Sequence, residues 1–429
     1  MNKLLTLILS ITTILVSAQN NVSYWQQHVA YKMDVDVDAE SFQYTGTQKL
    51  IYTNNSPDVL SKVFYHLYYN AFQPNSEMDA RLQAIADPDR RMVNNIGTKE
   101  NPIYESRIAK LKPNEIGYLK VISLQQNGND LKYTTEGTIL EVTLNTPIQP
   151  GEKVIFDMTF EGQLPVHIRR AGRNNEDGVA LSMAQWYPKM AEYDFEGWQT
   201  HTYIAREFQG VWGNFDVTLH IDKNYTVGGT GDLQNPQEIG HGYEDKTQKV
   251  NIKKGKKLAW HFIANNVHDF TWAADPNYTH DVLKMDNGIS LHFLYKNDKK
   301  YAEAWKEIQP YTEKAMNYYN ENIGAYPWKQ YSVIQGGDGG MEYAMCTLVA
   351  GGETFNSIAG TVFHELAHTW FQQILANNES KHSWMDEGFT SYISSIASNK
   401  ILRGGDENPS AKSYGGYFNS VKSGIQESL

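Results

Sequence analysis

Apolar and polar positions alternate along much of the first 268 residues, the period that puts one set of side chains on each face of a strand. Met33-Asp34-Val35-Asp36-Val37-Asp38 alternates strictly, and Leu50-Ile51-Tyr52-Thr53 reads as a strand ahead of a turn at Asn54-Asn55-Ser56-Pro57. Gly137-Thr138-Ile139-Leu140-Glu141-Val142-Thr143-Leu144 precedes a Pro150-Gly151 turn, and Phe215 to Ile221 repeats the pattern. A more polar, helix-capable stretch from about Pro74 to Lys112 interrupts the strands and reads as an insertion. The period then changes. A helical segment is expected around Ala302 to Asn320. Asn356 to about Leu375 reads as one helix, capped by Asn356 or Ser357, with Ile358, Val362, Phe363, Leu366, Ala367, Trp370, Phe371 and Ile374 covering most of its circumference. Asn377-Asn378-Glu379-Ser380 reads as a turn. A second helix runs from about Met385 with Phe389, Tyr392, Ile393, Ile396 and Ala397 at helical spacing. The change of period puts a boundary near Phe270 to Asp275, dividing a β-rich domain, 19–268, from a second domain, 269–429. No internal repeat, low-complexity stretch or disordered linker is evident.

The helix expected at Asn356 to Leu375 is apolar enough to be buried, yet it carries His364, Glu365 and His368. Burying two imidazoles and a carboxylate costs several kcal/mol unless something charged compensates them, and a divalent cation does so. Histidines four apart lie one turn apart on one face, so both reach a single ion, and Glu365 beside them can address a water on it. A catalytic zinc usually takes three protein ligands and leaves the fourth position to water. Glu387, separated from His368 by eighteen intervening residues, is the candidate third ligand, because two helices joined by a short loop can pack antiparallel. The rival pattern, in which a Gly and a third His follow, is excluded because Phe371 and Ile374 hold those positions.

His364-Glu365-Leu366-Ala367-His368, the spacer, Glu387 within Trp-Met-Asp-Glu-Gly-Phe, and an upstream Gly339-Gly340-Met341-Glu342 together resemble the zinc aminopeptidase (gluzincin) family typified by aminopeptidase N and leukotriene hydrolase. The resemblance implies an α+β multidomain fold: an N-terminal curved β-sheet domain followed by a thermolysin-like, mostly helical zinc peptidase domain. It also implies one Zn2+ per chain, held by His364, His368 and Glu387. Glu365 would be the general base and peptides with free N-termini the substrates. In relatives the segment matching Gly339, Gly340, Met341 and Glu342 lies on a strand edge that pairs with an extended peptide, and its glutamate holds the substrate ammonium. Tyr343 stands where relatives usually have Asn, which loosens the exopeptidase inference. Read without the resemblance, Gly336 to Gly340 is equally a tight turn between strands. Gln185, near Pro188, is the nearest match to a family amine-binding glutamine, although its spacing is wrong.

Family members share the oxyanion charge between zinc and a tyrosine in a Tyr-x-Lys-Gly context beyond the third ligand. Here only Tyr392, Tyr414 and Tyr417 follow Glu387, none in that context, and Tyr392 reads as a core position. The chain is therefore expected to be the front part of a longer protein, its catalytic domain incomplete at the C-terminus. Two rivals stand beside the aminopeptidase reading. An endopeptidase of the same clan would have no use for Glu342, and a non-catalytic peptide-binding scaffold would gain nothing from Glu365. His382, between the ligand helices, is either a spare metal contact or a solvated loop histidine.

Met1-Asn2-Lys3, the apolar run Leu4 to Val16 and the small residues through Ala18 read as a signal peptide, 1–18, cleaved before Gln19, so export to periplasm or beyond is expected. No segment is long enough for a membrane span. The only cysteine, Cys346, sits in an apolar setting that suggests burial, and no intrachain disulfide is possible. The formal charge of -11 makes nucleic acid a poor partner. Oligomeric state is not legible.

Overall fold

The computed structural model describes residues 24–85, 88–204, 209–405, 419 and 422; the expected signal peptide, Tyr414 and Tyr417 lie outside them. The alternating segments become strands where alternation predicts them: β1 (His28–Asp38), β2 (Gln43–Thr53), β3 (Leu60–His66), β4 (Tyr118–Gln126), β5 (Ile139–Ile148), β6 (Lys153–Gln163), β7 (Gly213–Asp222) and β8 (Lys257–Val267). An eight-stranded sheet runs in the order Asp232–Leu233, β8, β7, β1, β2, β6, β4, Asn129–Asp130. Only the β1–β7 pair in it is parallel. Val29, Tyr31, Met33, Val35 and Val37 of β1 point inward, while the lysine and aspartates between them stay exposed. Two four-stranded sheets pack with it, one built on β3 and β5. The polar stretch after Pro74 holds α1 (Glu77–Ala84) and a short hairpin of Val93–Asn95 with Tyr104–Ser106.

The boundary expected near Phe270 to Asp275 does not fall in a linker. Trp272–Asp275 is a fully buried strand paired with Leu181–Met183 and Thr226–Gly229. Beyond it the chain is helical but also builds a five-stranded sheet from β9 (Tyr278–Lys284), β10 (Ser290–Lys296), β11 (Gln330–Gln335), β12 (Gly340–Tyr343) and β13 (Cys346–Val349), in the order β9, β10, β11, β13, β12. The parallel step from β10 to β11 needs a crossover, and α2 (Lys299–Asn322), close to the predicted helix, supplies it. α3 (Phe355–His368) and α4 (Phe389–Arg403) follow. α3 lies between α2, α4 and the β12–β13 hairpin.

Among the described residues the hydrophobic interior forms two clusters. The first is built on the large sheet and takes in Met341, Tyr343, Met345, Cys346 and Leu348 of the hairpin; the second surrounds α2 and α3. The hairpin thus joins the sheet-rich N-terminal region to the helical C-terminal part. Cys346 is fully buried, which pushes its thiol up to about 12, as its apolar setting suggested. Among the described residues no helix is long and apolar enough to cross a membrane.

Several local expectations are corrected. The cap of α3 is Thr354 rather than Asn356 or Ser357; its hydroxyl accepts from the Ser357 amide while Ser357 reaches back, closing a capping box. The predicted single helix stops being α-helical at His368 and continues as a π-helical segment, Thr369–Ile374. Before α4 the chain forms a short helix, Glu379–Ser383, and a second π turn, Trp384–Gly388, where a turn followed directly by an α-helix was expected. Tyr392 is 62% exposed, not core. The buried face of α4 is made of Thr390, Ser394, Ile396 and Ala397, which leaves Tyr392 on the outer face.

Candidate metal centre

α3 is held in place by its apolar face: Ile358, Val362, Phe363, Leu366 and Ala367 are buried, and the Tyr319 hydroxyl of α2 donates to the Phe363 carbonyl at 2.9 Å. This directs His364, Glu365 and His368 toward the start of α4 and the edge strand β12. His364 Nε2 and His368 Nε2 are 3.1 Å apart. Glu387 Oε2 lies 3.2 Å from the first and 3.8 Å from the second. A tetrahedral ion bound at about 2.0–2.1 Å separates its donors by about 3.3 Å, so the triad has the spacing and the N, N, O chemistry of a zinc site. His382, in contrast, is exposed and outside any such cluster among the described residues.

The charge balance also asks for a cation. Burial alone would lower the pKa of His368, yet Glu342, Asp386 and Glu365 pull it up to about 10. Burial raises the Glu365 carboxyl above its usual range, partly offset by His368, His364 and Arg170. Glu387 is held below its usual range, first by its hydrogen bond with His364. Four carboxylates around two imidazoles in a largely buried pocket are stabilised by a divalent ion.

Asp386, not singled out by sequence, sits with Oδ1 2.6 Å from His368 Nδ1, and the Thr390 hydroxyl is 3.2 Å from the same nitrogen. A carboxylate only accepts, so once His368 is neutral its remaining proton stays on Nδ1 and Nε2, facing His364 and Glu387, is the lone-pair donor. Glu342, on β12, is 5% exposed and reaches to 4.0 Å from the same Nδ1.

Among the described residues β12 is the edge strand of its sheet and pairs only with β13. Gly340 runs directly over Glu365. A Cβ on Gly340 would lie 2.0 Å from Glu365 Oε1 and 2.7 Å from Thr361 Cγ2, so only glycine allows the strand this close to the carboxylate. Gly339 is less constrained; its nearest neighbour would be the Arg91 guanidinium at 3.4 Å. Gln185 is buried with φ 51 and donates to the Tyr343 hydroxyl at 3.3 Å, one residue past Glu342. The structure therefore brings His364, Glu365, His368, Glu387, Glu342 and Gly340 together and places Gln185 next to them through Tyr343.

Residues 310–419 match the peptidase family M1 domain. The puromycin-sensitive aminopeptidase of Caenorhabditis elegans is 25% identical over 286 residues, 62% of this chain and 28% of that protein. Leukotriene A-4 hydrolase of Xenopus laevis is 29% identical over 115 residues, 25% of this chain and 18% of that protein. The matched stretches thus span less than a third of either relative. Among solved structures, a variant of the M1 zinc metallopeptidase of Deinococcus radiodurans bound to a Tyr-Ser-Ala substrate superposes with a TM-score of 0.57 at 12% identity, covering 92% of this chain and 75% of that one. A two-domain M1 zinc metallopeptidase variant bound to L-tryptophan gives 0.58 at 14% identity, covering 92% and 76%. At such identities the superpositions speak for the fold, and the family-model match takes in the His-Glu-x-x-His region. Residues 310–419 are thus similar to the peptidase family M1 domain, and the chain shares the fold of solved M1 zinc metallopeptidases.

Proposed function

We propose that this protein is a zinc-dependent aminopeptidase that removes N-terminal residues from peptides. The observation that carries the reading is the convergence of His364, His368 and Glu387 at 3.1–3.8 Å beside Glu365, beneath an edge strand that carries Glu342. Zinc, when bound, supplies Lewis acidity, bringing a coordinated water to a pKa of about 7 and polarising a coordinated carbonyl. In this reading one ion is held per chain.

The remaining roles fall to the chain. Glu365 takes the proton of the attacking water on its carboxylate and returns it to the leaving amine. Its burial suits this, because a raised pKa brings the carboxylate closer to the range in which it both accepts and donates. Asp386 fixes the His368 tautomer. The open edge of β12 is suited to an extended peptide backbone, and Glu342 provides the anion for the free ammonium. The arrangement of α3, α4 and the β12 edge supports a thermolysin-like catalytic part that begins after the Trp272–Asp275 strand, which itself belongs to the sheet domain before it. Export is read from residues 1–18 alone; a mature N-terminus at Gln19 in the secreted fraction would establish it, and an intact Met1 would end it.

The test compares a peptide carrying a free N-terminus with its N-acetylated twin, each with chelator and with zinc restored. Zinc-dependent release of the first residue from the free peptide alone is expected. Equal cleavage of both would make the protein an endopeptidase, and cleavage of neither would favour a scaffold.

A further inference from the structure

One loop of the sheet-rich region reaches the metal centre, and its chemistry is not used by the mechanism above. Residues 165–173 fold into a tight loop, with a parallel bridge between Val166 and Arg173 and an antiparallel one between Arg169 and Ala171. Arg169, Arg170 and Arg173 are only 7–9% exposed. Buried guanidinium groups are costly unless every donor is directed at something. Arg173 donates to the Asn114 carbonyl and lies over the Phe42 ring. Arg169 and Arg170 face the opposite way, onto the glycine-rich segment that leads into β12.

Their contacts form a clasp. Arg169 Nη1 meets both carboxylate oxygens of Asp338, at 3.3 and 3.2 Å, and its Nε lies 3.5 Å from Asp89. The Arg170 backbone amide donates to Asp338 Oδ1 at 3.2 Å. Arg170 Nη1 donates to the Gly340 carbonyl at 2.7 Å. The Asn175 amide and the Ser182 hydroxyl hold Gly337 from the same side. Arg170 makes these contacts from φ 57, a left-handed conformation that a non-glycine residue keeps only where its surroundings impose it.

The Gly340 carbonyl is the informative acceptor. The Ala350 amide takes the Gly339 carbonyl on the β13 side at 2.6 Å, and carbonyls alternate along a strand, so that of Gly340 points to the open edge. An edge carbonyl is normally left to solvent or to an added strand. Here Arg170 occupies it, at the residue whose Cα packs against the Glu365 carboxylate.

We propose that Arg170 is a positioning residue: by clasping the Gly340 carbonyl it fixes the gap between the substrate-edge strand and Glu365, with the Arg169–Asp338 pair as its anchor. The proposal rests on the peptidase reading, because the gap matters only if a peptide lies on β12 while Glu365 moves a proton. Orientation at a reacting centre is steep, with displacements of about 1 Å costing on the order of a hundredfold in rate. A planar guanidinium also holds a carbonyl more rigidly than an ammonium on a flexible stem.

The experiment compares wild type, R170M and R170K for kcat and KM on a free N-terminal peptide, zinc bound per chain, and amide hydrogen exchange over residues 336–345. R170M is expected to lower kcat on the order of a hundredfold, with KM within a few-fold and zinc content unchanged. R170K should recover part of kcat, and exchange in 336–345 should quicken at least about tenfold in R170M while β10 and β11 stay protected. Unchanged kcat together with unchanged exchange would overturn the proposal. So would a fall in kcat that only tracks lost zinc or lost folded protein. If the wild type cleaves no peptide, the peptidase reading fails, and exchange alone then decides whether Arg170 clasps β12.

Discussion

Asp386 and Glu387 are adjacent in sequence yet meet opposite nitrogens of the same imidazole. In a regular α-helix neighbouring side chains diverge by about 100°, and such a pair would not both face His368. The π turn Trp384–Gly388 rearranges them so that Asp386 is buried against Nδ1 and Glu387 faces Nε2. Replacing Asp386 by Asn removes the acceptor charge that sets the tautomer. Zinc affinity should fall about 10- to 100-fold, read by competition with a chromogenic chelator; an unchanged affinity would mean the carboxylate plays no part in preparing Nε2. E365Q is expected to behave differently, retaining zinc while losing on the order of 10²–10⁴-fold in kcat, because it keeps the shape and removes the proton acceptor. The two variants separate holding the metal from using it. His364, Glu365 and His368 were legible because an i, i+4 pair on an apolar helix has one simple geometric meaning. Asp386 was not, because its role depends on a turn type that tertiary packing imposes.

The same contrast holds for strands and helices. β1, β2, β5 and β7 were readable because one face of each is wet, which leaves polar residues at alternate positions. β11 and β13 are buried on both faces, so every position is shielded and no alternation betrays them. Trp272–Asp275 has the same character, which is why a boundary was drawn through a strand. The glycine-rich segment was ambiguous for another reason: a turn and a close strand-to-helix approach call for the same residue. The structure separates the two uses. A methyl group on Gly340 would meet Glu365 at 2.0 Å, whereas one on Gly339 would meet only the end of the Arg91 side chain at 3.4 Å. G340A is therefore expected to lower kcat at least about tenfold by pushing β12 away from Glu365. G339A should stay within about twofold. Steady-state kinetics on the two variants checks this, and equal tolerance of both would show that the strand does not approach the carboxylate in solution.

Across the whole molecule, burial of ionisable groups sets a prediction about acid. Burial pushes His66 down to about 3, His268 to about 4, His280 to about 4 and His292 to about 3, from an ordinary 6.5. His280 and His292 are joined at 2.9 Å, so charging both would set two imidazolium ions against each other. The folded pKa values lie below the unfolded one, so between pH 6.5 and about 4 the unfolded chain binds protons that the folded chain refuses. Stability is then full above about pH 6.5 and falls as the pH drops, by up to about 1.4 kcal/mol per pH unit for each histidine that stays neutral. The melting temperature should accordingly fall steeply from pH 7 to pH 5. Metal ligands also take up protons in this range, so the wild type alone would not separate the two sources. H268Q does, because His268 touches the Gln373 carbonyl at 3.2 Å and not the metal site. It should lower the melting temperature at pH 7 through the lost contact and flatten its decline toward pH 5. An equally steep decline in H268Q would assign the acid sensitivity to other groups, the metal ligands first among them.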